Sequence, residues 1–143
     1  MTTHEISKDE IMAVFPKVAE TMADALGCDV DKVTLGVPLI EGLDAESIDF
    51  LDIVFRLEKA FHVKIPRGQI VENARGDLPE EDFAQKGVVT GAGLKRLKDY
   101  LSEIPGERFQ EPLKVADIPA LFTAETFAKT VARALRVEER SDR

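Results

Sequence analysis

A serine among carboxylates is the first group in this chain whose type and position could do chemistry. Ser47 lies in the run GLDAESIDFLDIVFRLEKAF, residues 42–61, just ahead of a long apolar-periodic segment. Its hydroxyl could start a helix, act as a nucleophile or be modified. A serine nucleophile needs an adjacent base, and this stretch offers none. The first turn of a helix has unpaired N–H groups and a partial positive charge, so a phosphate ester attached there would be held favourably.

The carboxylates of this stretch could in principle do acid–base work, which needs a cleft and a raised pKa. Asp49 and Asp52 are i, i+3 neighbours on one face of the predicted helix. We therefore interpret the acids as a negative docking strip. Ile53 and Phe55 are surplus apolar residues on this helix, open to two interpretations: a wide core stripe, or a contact for a partner.

The two histidines do not indicate a catalytic or metal site. His4 and His62 are far apart and lie in no metal-ligand pattern. His62 is predicted to be a surface residue at a helix end. The run GVVTGAGLK, residues 87–95, faintly resembles a phosphate loop but lacks the G-K-[ST] ending. It predicts a flexible hinge before a helix.

One modest basic cluster follows this run, and it comprises Lys95, Arg96 and Lys98. A solvated helix face is the default interpretation of the cluster, and a docking patch is the alternative.

Composition narrows the possible partners. The chain has 143 residues, is 44% hydrophobic and 32% charged, and has a net charge of −8. These values are typical of one soluble globular domain. The negative charge argues against nucleic acid and favours partners with basic patches. The single cysteine, Cys28, excludes an intramolecular disulfide and is compatible with a reducing cytosol. The polar start predicts no signal peptide, and no apolar run is long enough to span a bilayer. We expect a cytoplasmic protein.

Helical periodicity predicts the elements that must position Ser47. A capping box at Ser7–Glu10 opens a first helix, which Gly27 ends. Pro16, inside it, should kink or restart the helix. A long loop, 28–46, carries apolar residues that should pack over a core. The second helix spans about 47–61, and its expected buried stripe comprises Leu51, Val54, Leu57 or Ile48, and Phe61.

The second half of the chain is less regular but is also helical in pattern. Residues 77–81 resemble a helix start, 94–104 an amphipathic helix and 115–121 a short helix. A last helix begins near 122–125, and the tail 137–143 should fray. No strand pair is predicted. The fold class is all-α, a small bundle.

Residues 25–66 resemble the acyl carrier protein family. The matching features are Leu26-Gly27, the pinned loop, Glu46-Ser47-Ile48, an acidic helix, and the ending Phe61-x-x-x-Ile65-Pro66. The run IDFLDIVFRLEKAF looks especially like specialised carriers of very-long-chain acyl groups of lipid A, and the closing run FTAETFAKTVARAL is similar to the last helix of a carrier.

The resemblance implies a four-helix bundle that carries cargo and catalyses nothing. It implies that a phosphopantetheinyl transferase attaches 4′-phosphopantetheine to Ser47 and that the arm holds an acyl thioester for fatty acid or lipid biosynthesis. Acyl-synthesis and acyltransferase enzymes with basic patches would then dock on residues of the second helix. The implied docking residues are Glu46, Ile48, Asp49, Asp52, Phe55 and Glu58. No metal and no catalytic residue is implied.

The chain departs from the family pattern in two places. The motif is Glu-Ser-Ile rather than Asp-Ser-Leu, and Asp44 stands where a glycine is usual. Asp44 could cap the helix a turn earlier and leave Ser47 at its third position. Residues 67–114 have no counterpart in a short carrier, so we expect one carrier domain over 1–143 with a helical insertion between the second and last helices. The insertion could enlarge the space for an acyl chain, add a partner surface, or be a mobile excursion.

Two alternative functions remain open. The chain could be an unmodified helical adaptor that binds partners through 47–61, or a carrier of polyketide or peptide synthesis. A hydrolase using Ser47 would require a general base that the sequence does not offer.

Overall fold

The computed structural model describes the backbone of residues 6–65 and 69–141, with side chains over the same ranges except at 47, 69 and 137–141. It contains two compact units, Met1–Ile65 with Thr123–Arg143, and Pro66–Phe122. The predicted insertion, 67–114, falls within the second of these units. That residues 1–143 form a single domain stays a prediction.

The first unit is built on three long helices and one short one. Helix α1 spans Lys8–Leu26, α2 spans Leu39–Leu43, α3 spans Ser47–Phe61 and α7 spans Ala124–Ser141. Helix α1 contacts both α3 and α7. The core side chains shared by these elements are buried completely, which removes their apolar surface from water. They include Val18, Met22, Leu39, Ile53, Leu57 and Val131.

Local signals at both ends of α1 are confirmed. Ser7 and Glu10 form the predicted capping box, in which the Glu10 N–H donates to Ser7 Oγ at 3.2 Å and the Ser7 N–H donates to Glu10 Oε1 at 3.1 Å. Gly27 ends the helix at a φ of 68°, a left-handed conformation that glycine adopts without a steric penalty. The helix runs without interruption through Pro16, so the predicted restart does not occur.

The loop ahead of Ser47 is pinned as predicted, but it contains more regular structure than the sequence indicated. Val30–Lys32 forms a 3₁₀ turn and α2 occupies much of the second half of the loop. Its anchors Val33 and Leu39 are 3% and 0% exposed. The N–H groups of Ala124 and Glu125, in the first turn of α7, donate to loop carbonyls of Val37 and Leu35 at 3.1 and 2.9 Å. These bonds hold the loop against the start of the last helix.

A buried-face prediction for α3 was wrong at three positions. Ile53, placed off the stripe, is fully buried, whereas Ile48 and Leu51 are 75% and 37% exposed. The face that packs instead runs through Phe50, Ile53, Leu57 and Phe61, at the i, i+3, i+7 and i+11 spacing of a single helix face. Apolar residues cover most of the circumference of this helix outside the sector of Asp49, Asp52 and Arg56, so periodicity alone permits more than one buried face.

Phe50 also lies on that face, although it was not part of the buried stripe expected from the sequence. Its ring packs edge-on against Phe127 of α7, with centroids 5.6 Å apart and an interplanar angle of 69°. Lys17 Nζ of α1 lies 5.3 Å from the ring centroid of Phe61 at the other end of α3. Both contacts fix the rotation of α3 about its axis.

The second unit is mainly helical, with a small hairpin that the sequence analysis did not anticipate. Helices α4, α5 and α6 span Gln69–Arg75, Glu80–Phe83 and Gly91–Tyr100, and 3₁₀ turns cover Gly106–Arg108 and Val115–Leu121. Strands β1, Ala84–Gln85, and β2, Val88–Val89, pair antiparallel. The prediction of no strand pair was therefore wrong, although the all-α class is confirmed for the chain as a whole.

The hairpin explains the glycine-rich run that resembled a phosphate loop. Lys86 and Gly87 form its two-residue turn, with φ values of 52° and 80°, as a type I′ hairpin requires. Thr90 then caps α6, accepting the Gly93 N–H at 3.0 Å. Gly93 lies so close to the Phe83 carbonyl that a Cβ would collide with it. The run is a turn and a tightly packed helix start, not a hinge.

The remaining predictions for the second half are confirmed in part. The 77–81 signal precedes α5, the 94–104 pattern begins in α6, and 115–121 is a 3₁₀ helix. Leu94, Leu97, Leu101 and Ile104 are all buried. Arg96 of the basic cluster pairs with Asp77 at 3.1 Å and donates to the Arg75 carbonyl. Residues 137–141 are helical, and 142–143 lie outside the described residues.

One ion pair ties the first helix to the last. Arg136 Nε donates to Glu10 Oε2 at 2.7 Å, and Arg136 Nη2 donates to Glu10 Oε1 at 2.5 Å. The hydrogen bond from Arg136, with that from the Ser7 backbone, lowers the pKa of Glu10 from its ordinary value of 4.5 to about 2. A carboxyl with a depressed pKa stabilises the fold above its unfolded-state pKa, and this stabilisation is lost as the pH falls through the folded value.

We therefore expect Glu10→Gln to be less stable than the parent at pH 7, by about 1 kcal/mol because both side chains keep about a third of their surface in water. The difference in the free energy of unfolding between the two proteins should disappear as the pH falls from 4.5 to about 2. Urea denaturation across this range measures it. Glu20→Gln, at an exposed position of the same helix, is the control. A gap that persists unchanged at low pH would assign the effect to something other than the carboxylate charge.

Candidate functional site

The backbone ahead of α3 places Ser47 at the first position of the helix. The chain leaves α2 through Asp44, which adopts a left-handed φ of 58°. Glu46 follows in an extended conformation and is the N-cap. The alternative in which Asp44 caps the helix and leaves Ser47 at the third position is therefore wrong. Asp44 takes the left-handed conformation that the usual glycine would accept at lower cost.

The residues around Ser47 are arranged so that the helix start is capped and open to solvent. Asp49 Oδ2 accepts the Glu46 N–H at 2.8 Å, and the Asp49 N–H donates to the Glu46 carbonyl at 2.9 Å. The neighbours on both sides, Glu46 and Ile48, are exposed, Ile48 by 75%. A modifying enzyme can approach this turn without unfolding it.

The first turn also suits a phosphate. The N-terminal N–H groups of a 15-residue helix carry a partial positive charge. The Asp49 carboxylate in the same turn accepts the Glu46 N–H rather than an N–H of the first helical residues. These residues therefore fit a phosphodiester-linked group on the hydroxyl of the first helical residue.

The two apolar residues among the predicted docking residues lie on the solvent side of α3. Ile48 and Phe55 are 75% and 54% exposed, and Leu51, which the sequence analysis had placed in the core, joins them at 37%. At 100° per residue these three positions share one face, roughly opposite the buried one. We call Ile48, Leu51 and Phe55 the apolar strip. The spacing i, i+3, i+7 was the signal that could have identified it.

The acids around the apolar strip differ in the hydrogen bonds and ion pairs that they make within the protein. Asp52 pairs with Arg56 at 3.1 Å in a contact that leaves both side chains about half exposed. Glu58 accepts the Ile65 N–H at 2.7 Å in a partly buried bond that fixes the segment after α3. Asp49 serves the cap. Among Asp49, Asp52 and Glu58, Asp52 is thus the acid whose contact is a solvent-exposed side-chain pair.

The other candidates do not form a catalytic centre. His62 ends α3 in a left-handed conformation at the surface, as predicted, and His4 lies outside the described residues. Within residues 6–65 and 69–141, no group of three or more histidine, cysteine or carboxylate side chains is placed to hold a metal ion. No helix in this described part is long and apolar enough to cross a membrane.

Comparison with known proteins identifies the family of the chain. Residues 16–75 match the family model described as phosphopantetheine attachment site. Acyl carrier protein AcpXL of Brucella melitensis is 39% identical over 72 residues, which cover 50% of this chain and 77% of that protein. The acyl carrier protein of Petrotoga mobilis is 36% identical over 81 residues, covering 53% of this chain and 92% of that protein. No solved structure matches the chain significantly.

A helical bundle with a capped, open helix start inside a phosphopantetheine attachment region defines a carrier of the phosphopantetheine-binding class. The chain belongs to the acyl carrier protein family. It is a carrier rather than an enzyme, its cofactor is phosphopantetheine, and its role lies in fatty acid or lipid synthesis. Such a role involves a phosphopantetheinyl transferase and the enzymes of synthesis.

Proposed function

We propose that Ser47 is the residue that carries 4′-phosphopantetheine, and that the protein presents an acyl thioester on this arm to its partner enzymes. The position of Ser47 as the first residue of α3, inside the matched region 16–75, is the observation that carries the proposal. The arm supplies the thiol on which the acyl group is held. The contribution of the chain is to present Ser47 as the first residue of α3, to place a phosphate at the helix start and to offer a docking face.

The transferase adds the arm by attack of the serine hydroxyl on the pyrophosphate of coenzyme A. The hydroxyl loses its proton, a new phosphodiester forms, and 3′,5′-ADP leaves. The sequence around Ser47 offers no base that could activate the serine hydroxyl. The partner enzyme therefore supplies the base. In acyl loading, too, the partner enzyme supplies the catalytic groups.

The direct test incubates the purified chain with a phosphopantetheinyl transferase, Mg²⁺ and coenzyme A. Intact mass should increase by one phosphopantetheine, and peptide mapping should place it on the peptide containing Ser47. An increment on another serine would reject Ser47, while no increment with several transferases would favour the unmodified adaptor. Intact mass of protein purified from cells would also show any acyl cargo.

We propose that partner enzymes dock on the apolar strip and the acids beside it. Ile48 and Phe55 would fill apolar contacts, and Asp52, Glu46, Asp49 and Glu58 would face basic patches on the partners, including acyl-synthesis enzymes and acyltransferases. The support is the exposure of the apolar strip, the negative charge of the chain and the placement of these residues on the helix that begins at Ser47 or at its N-cap. The cargo we favour is a fatty acyl group; the relatives are named acyl carrier proteins. We place this work in the cytoplasm, where a reducing environment keeps the arm thiol free.

Reversal of the charge at Asp52 is expected to lower kcat/KM of the transferase about tenfold, because a carboxylate that attracts a basic patch becomes an ammonium that repels it. Glu20→Lys, on an exposed position of α1, changes the net charge equally and is the control. The difference should shrink as salt rises. Asp49 is unsuited to this test because its reversal would also remove the cap on Glu46. Equal effects of the charge reversals at Asp52 and Glu20 would mean that net charge, and not a docking face on α3, determines the rate.

A further inference from the structure

The exposed charges on α3 change sign along the helix. Asp52 is exposed, and the exposed charged side chains that follow it on α3 are those of Arg56 and Lys59. Glu58, the acid of this second half, is partly buried and accepts the Ile65 N–H at 2.7 Å. The solvent side of the helix is therefore acidic toward its start and basic toward its end.

Phe55, the last member of the apolar strip, lies between the two signs of charge. Asp52 precedes it by three residues and Lys59 follows it by four, and these spacings place both side chains beside the ring on one face of the helix. Asp52 and Lys59 are about 10 Å apart along the helix axis, at about 1.5 Å per residue. Phe55 is 54% exposed. A partner surface that covers the ring therefore meets an acid on one side of it and a base on the other.

The order of the charges also suits the helix by itself, but that benefit does not hide them. Acids near the start and bases near the end of a helix complement its dipole, and Asp52 pairs with Arg56 at 3.1 Å. The two side chains of the pair remain 51% and 46% exposed, and ion pairs this open to water contribute little to stability. Their charges therefore remain accessible to an approaching protein.

A uniformly basic partner surface does not fit this face. Such a surface would attract Asp52 but would place like charges against Arg56 and Lys59. Like charges facing each other across an interface are costly and reject the wrong partner. A surface with a basic patch opposite Asp52, and an acidic patch about 10 Å farther from the helix start, complements both halves.

We propose that Arg56 and Lys59 are specificity-determining residues, and that the enzymes that fit this carrier present a basic patch at the end of the interface near Ser47 and an acidic patch at the far end. The inference rests on the proposed function, that is, on attachment at Ser47 and docking of partners on α3. It assigns attraction of partners to the acidic half of the helix and selection among them to the basic half.

Reversal of one base tests the order of the charges, because the two kinds of partner surface predict opposite signs. The phosphopantetheinyl transferase of the same organism is the probe, and kcat/KM of loading is the readout. Lys59→Glu should lower kcat/KM about threefold, since a carboxylate then faces the acidic patch of the partner. A partner that is basic along the whole of α3 would give a rise instead.

Two variants control for charge and for local structure. Lys8→Glu, at an exposed position of α1, changes the net charge equally and should leave kcat/KM unchanged. Lys59→Arg keeps the positive charge and should match the parent. A kcat/KM for Lys59→Glu that equals or exceeds that of Lys8→Glu would overturn the inference.

Exchange of the paired charges provides a second test at constant net charge. The double variant Asp52→Arg with Arg56→Asp retains an i, i+4 pair of opposite charges but inverts the order of the signs. We expect kcat/KM to fall about tenfold, since both charges then oppose those of the partner, while circular dichroism shows the helix content of the parent. An unchanged kcat/KM in this variant would also overturn the inference.

Failure of this inference is distinguishable from failure of the proposed function. If the parent gains the arm and neither variant loads more slowly, the basic half of α3 does not select partners, and attachment at Ser47 stands. If the intact mass of the parent shows no loading, the proposed function fails and the inference fails with it.

Discussion

Replacing Ser47 by alanine is expected to abolish phosphopantetheine loading completely. Alanine has no hydroxyl from which the phosphodiester can form, so the intact mass after incubation with transferase and coenzyme A should equal that of the apo protein. No acyl thioester should then accumulate in any downstream assay. The effect is a loss of all signal rather than a change of rate, because the attachment atom itself is removed.

The substitution should leave the fold unchanged, so the loss can be assigned to chemistry. Glu46, not Ser47, is the N-cap of α3, and alanine is a better helix former than serine. We expect the free energy of unfolding to change by less than about 0.5 kcal/mol. Ser102→Ala, at an exposed position, is the matched control and should load fully. A mass increment that survives in Ser47→Ala would move the attachment site to another serine.

Leu57→Ala is expected to cause a large loss of stability, because it removes one of the fully buried side chains of α3. Leu57 is 0% exposed, and removing a buried leucine costs the transfer free energy of its methyl groups plus the cavity left behind, about 3 kcal/mol. Urea unfolding followed by circular dichroism measures the change. Because α3 presents Ser47, the variant should also load more slowly at temperatures near its melting midpoint.

Leu51→Ala is the matched control for this prediction, since it makes the same chemical change in the same helix. Leu51 is 37% exposed on the apolar strip, so we expect a loss below about 1 kcal/mol. The pair distinguishes the packed face of the structure from the face expected in the sequence analysis, which placed Leu51 in the core. A larger loss at Leu51 than at Leu57 would mean that α3 is rotated about its axis.

Short-range sequence signals were sufficient to predict the positions of the main helices. The capping box at Ser7, the left-handed Gly27 and the span 47–61 are short-range features, and the energies that fix them come from neighbours in the sequence. The proposed attachment residue is of the same kind. Ser47 stands out because of its place before a long apolar-periodic helix and the absence of a base around it, and neither feature depends on distant contacts.

Long-range packing decided the features for which the local sequence permits more than one structure. Apolar residues cover most of the circumference of α3. Contacts with α1 and α7, such as Phe50 against Phe127, therefore selected the Phe50–Ile53–Leu57 face over the Leu51 face. The Lys86–Gly87 hairpin likewise has strands of two residues each, too short to show a period of two. The hydrogen bonds of the acids on α3 were also not predictable from their spacing. Glu58 accepts the Ile65 N–H and Asp49 accepts the Glu46 N–H. A one-dimensional pattern records which side chains are available, whereas burial and pairing depend on which surfaces meet.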